Sequence, residues 1–131
     1  MRHHMAPKPR SPRRIVVIDD DDVMRTLLDI HLRHAGYEVF AAEDAVDGGH
    51  LVLETLPDLI ICDVEMPYLN GFDFVAALKT HDTTRAIPIV FLTSKEDMDG
   101  QGLRVGAVAH LTKPVRADRL LEVVGRFAPN A

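Results

Sequence analysis

The stretch Pro57-Asp58-Leu59-Ile60-Ile61-Cys62-Asp63-Val64-Glu65-Met66-Pro67 decides how the rest of the chain is read. Its apolar run, Leu59 to Cys62, is rich in branched side chains and is stopped by an acid and a turn, the pattern of a strand buried on both faces. Asp63 stands at the carboxyl end of that strand. In open α/β sheets ligands bind outside this edge, so a carboxylate there is placed for chemistry rather than packing. A single polar residue ending a strand is ordinary, and the reading depends on whether other strands deliver partners to the same edge.

They do. Ile15-Val16-Val17-Ile18 is a second buried run, followed by Asp19-Asp20-Asp21-Asp22. Asp21 or Asp22 can cap the helix beginning near Val23, where an acid also suits the helix dipole, but capping does not explain four acids in a row. Met24, Leu27, Leu28, His31 and Leu32 keep helical spacing, and Gly36 supplies a stop. Tyr37 to Ala42 reads as a strand. Residues 44–56 read as a helix packing through Leu51, Leu53 and Leu56, although Gly48-Gly49 costs roughly 1 kcal/mol per glycine. Met66 to Gly71 is turn-like, Asn70-Gly71 being a strong turn signal. Phe72 to Thr80 is predicted helical, with Phe74, Val75 and Leu78 on one side. Ile87 to Leu92 forms the next strand and ends at Thr93-Ser94-Lys95. A poor helix, interrupted by Gly100 and Gly102, is expected around Asp97 to Val105. Ala107 to Leu111 is a short strand ending at Thr112-Lys113-Pro114. Arg116 to Phe127 closes the chain as a helix with Leu120, Leu121, Val124 and Phe127 at helical spacing.

Five strands alternating with five helices predict a doubly wound α/β domain with one parallel sheet, because right-handed crossovers place helices on both faces. Asp19-Asp20, Asp63, Thr93 and Lys113 then all fall on one edge. That coincidence marks a functional site.

Composition agrees with one domain. The chain has 131 residues and contains no run near the ~18 apolar residues of a membrane span or a secretory segment, so a cytoplasmic location is expected. Cys62, the lone cysteine, reads as a small core residue. The net charge of −5 is asymmetric: residues 1–18 carry five basic side chains and no acid, leaving 10 basic and 20 acidic side chains in residues 19–131. Residues 1–13, interrupted by Pro7, Pro9 and Pro12, read as a disordered basic tail, and 14–128 as the domain. The acidic body argues against direct nucleic-acid binding and suits a bound cation or a basic partner.

Clustered carboxylates raise each other's pKa unless a counter-charge is present. Oxygen ligands with room for water suit Mg²⁺, whereas His31, His34, His50 and His81 show no spacing for a nitrogen-ligated metal. Lys113 and Thr93 beside such an ion could hold phosphoryl oxygens, and Asp63 could act as in-line nucleophile, forming an acyl phosphate.

At these residues the sequence resembles the receiver domain of bacterial two-component response regulators, of the chemotaxis-regulator kind, over residues 14–127. The matching features are the acid pair after the first strand, Asp63 with Met66-Pro67 and Gly71 after the third, Thr93 after the fourth and Lys113-Pro114 after the fifth. The resemblance implies a flavodoxin-like strand order of 2-1-3-4-5. It implies that Asp63 is the phosphoacceptor for a sensor histidine kinase or histidine phosphotransfer protein. Asp19, Asp20, Asp63 and the Glu65 backbone carbonyl would hold Mg²⁺. Thr93 would move to the phosphoryl group, Lys113 would pair with it, and a usually cis Lys113-Pro114 peptide would follow. The face formed by the fourth helix, fifth strand and fifth helix would then act on a partner or output domain. Such a chain is a signalling switch that catalyses only its own phosphorylation and dephosphorylation.

The chain departs from the pattern at His110, which stands where Tyr or Phe is common and predicts a weaker or pH-sensitive switch. Val115 replaces a frequent Phe. Glu65 and Lys95 flank the site and could meet across its mouth to hinder water, predicting a phosphoryl group that persists. Two rivals are weaker. A phosphatase of the haloacid-dehalogenase type would use Asp19-Asp20-Asp21 and leave Asp63 idle, and a docking module that is never phosphorylated would be expected to have lost a site residue. About four residues follow the last helix, so either a stand-alone receiver, such as a phosphorelay shuttle, or a receiver cut from a longer protein is expected.

Overall fold

A computed structural model describes residues 12–66, 70–94 and 104–130. Five strands form one parallel sheet in the order β2-β1-β3-β4-β5: β1 (Arg14–Ile18), β2 (Glu38–Ala42), β3 (Leu59–Asp63), β4 (Ile89–Thr93) and β5 (Ala109–Thr112). Among the described residues there are four helices: α1 (Asp22–His34), α2 (Ala45–Thr55), α3 (Gly71–Lys79) and α4 (Ala117–Phe127). The helix expected around Asp97 to Val105 lies almost wholly outside the described residues, as do most of the basic tail and Lys95. No described helix is long and apolar enough to cross a membrane.

Every residue of β3 and β4 is buried, which is why both read as unbroken apolar runs. Alternation divides the β1 side chains between two cores. Val16 and Ile18 join Ile60, Cys62, Val52, Phe74 and Val75 on one face, while Ile15 and Val17 join Ile61, Leu92, Leu28, Leu32, Leu120 and Val124 on the other. α2 and α3 therefore cover the first face and α1 and α4 the second. Cys62 is fully buried, and burial pushes its thiol pKa far up, reinforced by Asp63 and Asp19. It is an inert core residue.

Several predicted packing positions are corrected. Leu53 of α2 and Leu56, just past its end, are exposed, and Ala45, Gly48 and Val52 face the sheet. The cause is Gly48: a Cβ there would lie 2.5 Å from Ile18 Cδ1, so the glycine that weakens the helix intrinsically lets α2 approach β1. Leu27 in α1 and Leu121 in α4 are likewise exposed, Val123 being buried in α4 instead.

Asn70-Gly71, expected in a turn, starts a helix. Asn70 is the N-cap of α3, its side chain accepting from the Asp73 N–H at 2.9 Å. Asp21 caps α1 in the same way, accepting from Val23 N and Met24 N. We expect Asn70→Ala to lower stability by about 1 kcal/mol, measurable as a reduced urea midpoint with unchanged slope.

At the opposite edge of the sheet, the Arg13 guanidinium pairs with Asp58 at 3.2 Å and its Nε donates to the Pro129 carbonyl at 3.1 Å. Asn130 accepts from Arg13 N and donates to the Ala35 carbonyl. These contacts tie the residues after α4 to the start of β1.

Candidate functional site

Asp19, Asp20 and Asp63 each offer a carboxylate oxygen within 4.8 Å of the others. Asp63 ends β3 and Asp19 follows β1, and these strands pair directly, so backbone pairing carries the two carboxylates to the same edge. Asp19 is completely buried, Asp63 is 3% exposed, and Asp20 is exposed. Local hydrogen bonds hold the turn. Asp19 Oδ1 accepts from Asp21 N at 2.9 Å. Arg25 donates to the Asp19 carbonyl at 2.7 Å and also contacts the Asp22 carboxylate.

Lys113, just past β5, brings its ammonium 3.1 Å from Asp19 Oδ2 and 3.2 Å from Asp63 Oδ2. Its contact with Asp63 is a hydrogen bond. Its contact with Asp19 is an ion pair without hydrogen-bond geometry, which leaves Asp19 Oδ2 buried and without a hydrogen-bond partner. Burial pushes the Asp63 carboxyl pKa up to about 6, aided by the Asp19 charge and opposed by the Glu65 N–H and by Lys113. Burial would lower the Lys113 ammonium pKa, but the two carboxylates outweigh it and raise it. The Lys113-Pro114 peptide is cis, as the family resemblance implies.

This arrangement suits a hard divalent cation. One lysine serves two buried carboxylates with a third beside them, an excess of negative charge that an oxygen-coordinated divalent ion balances.

Thr93, 3% exposed, ends β4 in register with Thr112, and its carbonyl accepts from Lys113 N at 2.7 Å. Glu65 donates its N–H to Asp63 Oδ1 at 3.0 Å and carries an exposed side chain. That carboxylate accepts from the Ser94 hydroxyl at 2.8 Å. The predicted partner, Lys95, lies outside the described residues. His110, half-exposed on β5, lines a cleft of about 230 Å³ with Leu111, Pro114, Val115, Arg116 and Arg119.

Two residues at the site, Arg25 and Ser94, escaped sequence reasoning, whereas Gly71 is among the features that carry the family resemblance. Ser94 and Arg25 sit in positions whose spacing carries no signal. The Gly71 N–H donates to the Val64 carbonyl directly behind Asp63 at 2.8 Å.

Comparison with known proteins agrees with this geometry. The family model described as the response regulator receiver domain matches residues 15–125. The chain is 36% identical over 110 residues to the DNA-binding dual master transcriptional regulator RpaA of Synechocystis, covering 82% of this chain and 46% of that protein. It is 36% identical over 123 residues to the phosphate regulon transcriptional regulatory protein PhoB of Pseudomonas aeruginosa, covering 89% and 54%. The chain thus spans about half the length of these two regulators. Protein PilH of Pseudomonas aeruginosa is 35% identical over 113 residues and is covered over 93% of its length, against 85% of this chain. Among solved structures, the chemotaxis response regulator CheY4 of Vibrio cholerae superposes with a TM-score of 0.83 at 32% identity, over 88% of this chain and 98% of that one. With the family match running from β1 into α4 and the strand order the same as the family's, the chain belongs to the response regulator receiver domains of two-component signalling.

Proposed function

We propose that Asp63 is the phosphoacceptor of this switch. It takes its phosphoryl group from a phosphohistidine on a sensor histidine kinase or histidine phosphotransfer protein, and the domain that does so spans residues 14–128, behind a basic tail at 1–13. The supporting observation is the convergence of Asp19, Asp20, Asp63 and Lys113 at adjacent strand ends.

An Asp63 carboxylate oxygen attacks phosphorus, the bond from phosphorus to the histidine nitrogen breaks, and the imidazole keeps that electron pair. The attacking group must be ionised, which Lys113 and the Glu65 N–H favour. Lys113 also stands where it can pair with a transferred phosphoryl oxygen, and Thr93 offers a hydroxyl from the next strand. Mg²⁺ would be held by Asp19, Asp20, Asp63 and the Glu65 backbone carbonyl. When bound, it supplies positive charge against the phosphoryl oxygens.

The signal leaves through His110 and the face that β5 and α4 share, toward a target or output domain. In this reading the domain works in the cytoplasm without contacting nucleic acid, and catalyses only its own phosphorylation and dephosphorylation.

Intact mass after incubation with a small acyl-phosphate donor tests the reading. One added phosphoryl group in Mg²⁺, and none after chelation, is expected; no addition in either condition overturns it. Mg²⁺ at tenfold its dissociation constant should also stabilise the fold by about 1.4 kcal/mol. A smaller shift in Asp19→Asn, followed by urea unfolding, is the expected sign that this residue holds the ion.

A further inference from the structure

We propose that Arg25 is a positioning residue for the cation site: it holds the peptide plane between Asp19 and Asp20 and so sets both carboxylates for a divalent ion. The inference rests on the reading of Asp19, Asp20 and Asp63 as that site. Arg25 ends the first turn of α1, and helical side chains lean toward the helix amino terminus, so its stem carries the guanidinium back over the turn after β1. Nη1 donates to the Asp19 carbonyl at 2.7 Å, and Nη2 contacts the Asp22 carboxylate. That carbonyl belongs to the peptide joining Asp19 to Asp20. The unit is planar, so fixing its oxygen orients the backbone of both residues. Asp19 is pinned at two further points. Its N–H donates to the Ala42 carbonyl at 3.1 Å, and its Oδ1 accepts from Asp21 N at 2.9 Å. Oδ2, 3.1 Å from Lys113 Nζ, is left for coordination.

Arg25 acts on a bound ion in two opposing ways. Its positive charge repels a dication, an effect that Asp22 and solvent both weaken. Its hydrogen bond removes freedom that the turn would otherwise lose on binding. The Arg25 side chain is only 19% exposed, and a charge-assisted bond to a partly buried carbonyl is among the stronger kinds. Positioning therefore outweighs repulsion. The sign separates the two effects, since removing a charge alone tightens binding of the ion, whereas removing the hold loosens it.

Calorimetric titration of the wild type, Arg25→Met and Arg25→Lys with Mg²⁺ alone tests the role, beside urea unfolding of each in chelator. Arg25→Met keeps the apolar stem and loses both donors. Its Mg²⁺ affinity should fall about tenfold, the lower end for groups that hold a metal ligand in place. Arg25→Lys keeps the charge, but one ammonium cannot grip carbonyl and carboxylate together as the planar fork does, so its affinity should fall between the other two. A merely structural role would lower the urea midpoint and leave the affinity of the folded protein unchanged. Unchanged affinity in Arg25→Met therefore overturns the proposal, and tighter binding overturns it in favour of charge alone. Should Arg25→Met lose its cooperative transition, Arg25→Lys decides: weaker binding at constant charge supports the hold, and equal or tighter binding overturns it. Failure of the wild type to bind Mg²⁺ would instead refute the cation site itself.

Discussion

Asp63→Asn is expected to take up no phosphoryl group from an acyl-phosphate donor under conditions that load the wild type fully. The amide keeps nearly the same shape but is a poor nucleophile and lacks the carboxylate oxygen that becomes the bridging atom of an acyl phosphate. The same substitution should stabilise the metal-free protein. Asp63 is 3% exposed and shares one lysine with the fully buried Asp19, and its carboxyl is raised from 3.8 to about 6, chiefly by burial. A raised carboxyl holds its proton longer folded than unfolded, so its contribution to stability is present at low pH and is lost as pH climbs from 3.8 through about 6. The full shift corresponds to about 3 kcal/mol. Part of it is offset because the amide also gives up its attraction to Lys113. A net gain of about 1–2 kcal/mol near pH 7.5, shrinking near pH 4.5, is expected from urea unfolding in chelator. A variant that still gains mass would move the acceptor elsewhere, and retained mass in Asp63→Asn with loss in Asp19→Asn would favour phosphatase-like use of Asp19.

Gly71→Ala is expected to cost about 3 kcal/mol, or a drop of about 10 °C in Tm. A Cβ at this position would meet the Asp63 carbonyl oxygen at 2.6 Å and Val64 Cα at 2.9 Å, with Phe91 Cε1 at 3.1 Å. Two of those atoms are backbone and cannot rotate aside. α3 must retreat, or the end of β3 must move, and the end of β3 carries Asp63. Uptake of the phosphoryl group should therefore slow by about tenfold or more, since positioning errors near 1 Å are costly in reactions that depend on alignment. Thermal unfolding and the rate of mass gain check the two halves separately. Wild-type stability in Gly71→Ala would show that the helix start relaxes without strain.

These two positions differ in how they can be read. Asp63 is legible because a buried parallel strand must be apolar throughout, so an acid at its end stands out, and a second acid, a threonine and a lysine recur at the ends of other strands. A cap at Asp21 or Asp22 is legible from the acids that precede the helical spacing, and the structure selects Asp21. Gly48 is misleading in isolation: intrinsic propensity counts it against a helix, whereas the fold uses its missing side chain to bring α2 against Ile18. Leu53 and Leu56 mislead in the opposite direction, since their apolar character suggests a core face that the glycine-led face of α2 takes instead.

By itself the sequence determined the element order, the parallel sheet and the edge on which the polar residues gather, because period, run length and turn chemistry are local properties. Tertiary structure alone decided which groups touch. It set Lys113 between Asp19 and Asp63, left Asp19 Oδ2 without a hydrogen-bond partner, joined Ser94 to Glu65, and set Gly71 against the backbone behind Asp63. Those distances arise between residues up to 94 positions apart, through strand register and the closeness of helix to sheet, and no local pattern in the chain encodes them.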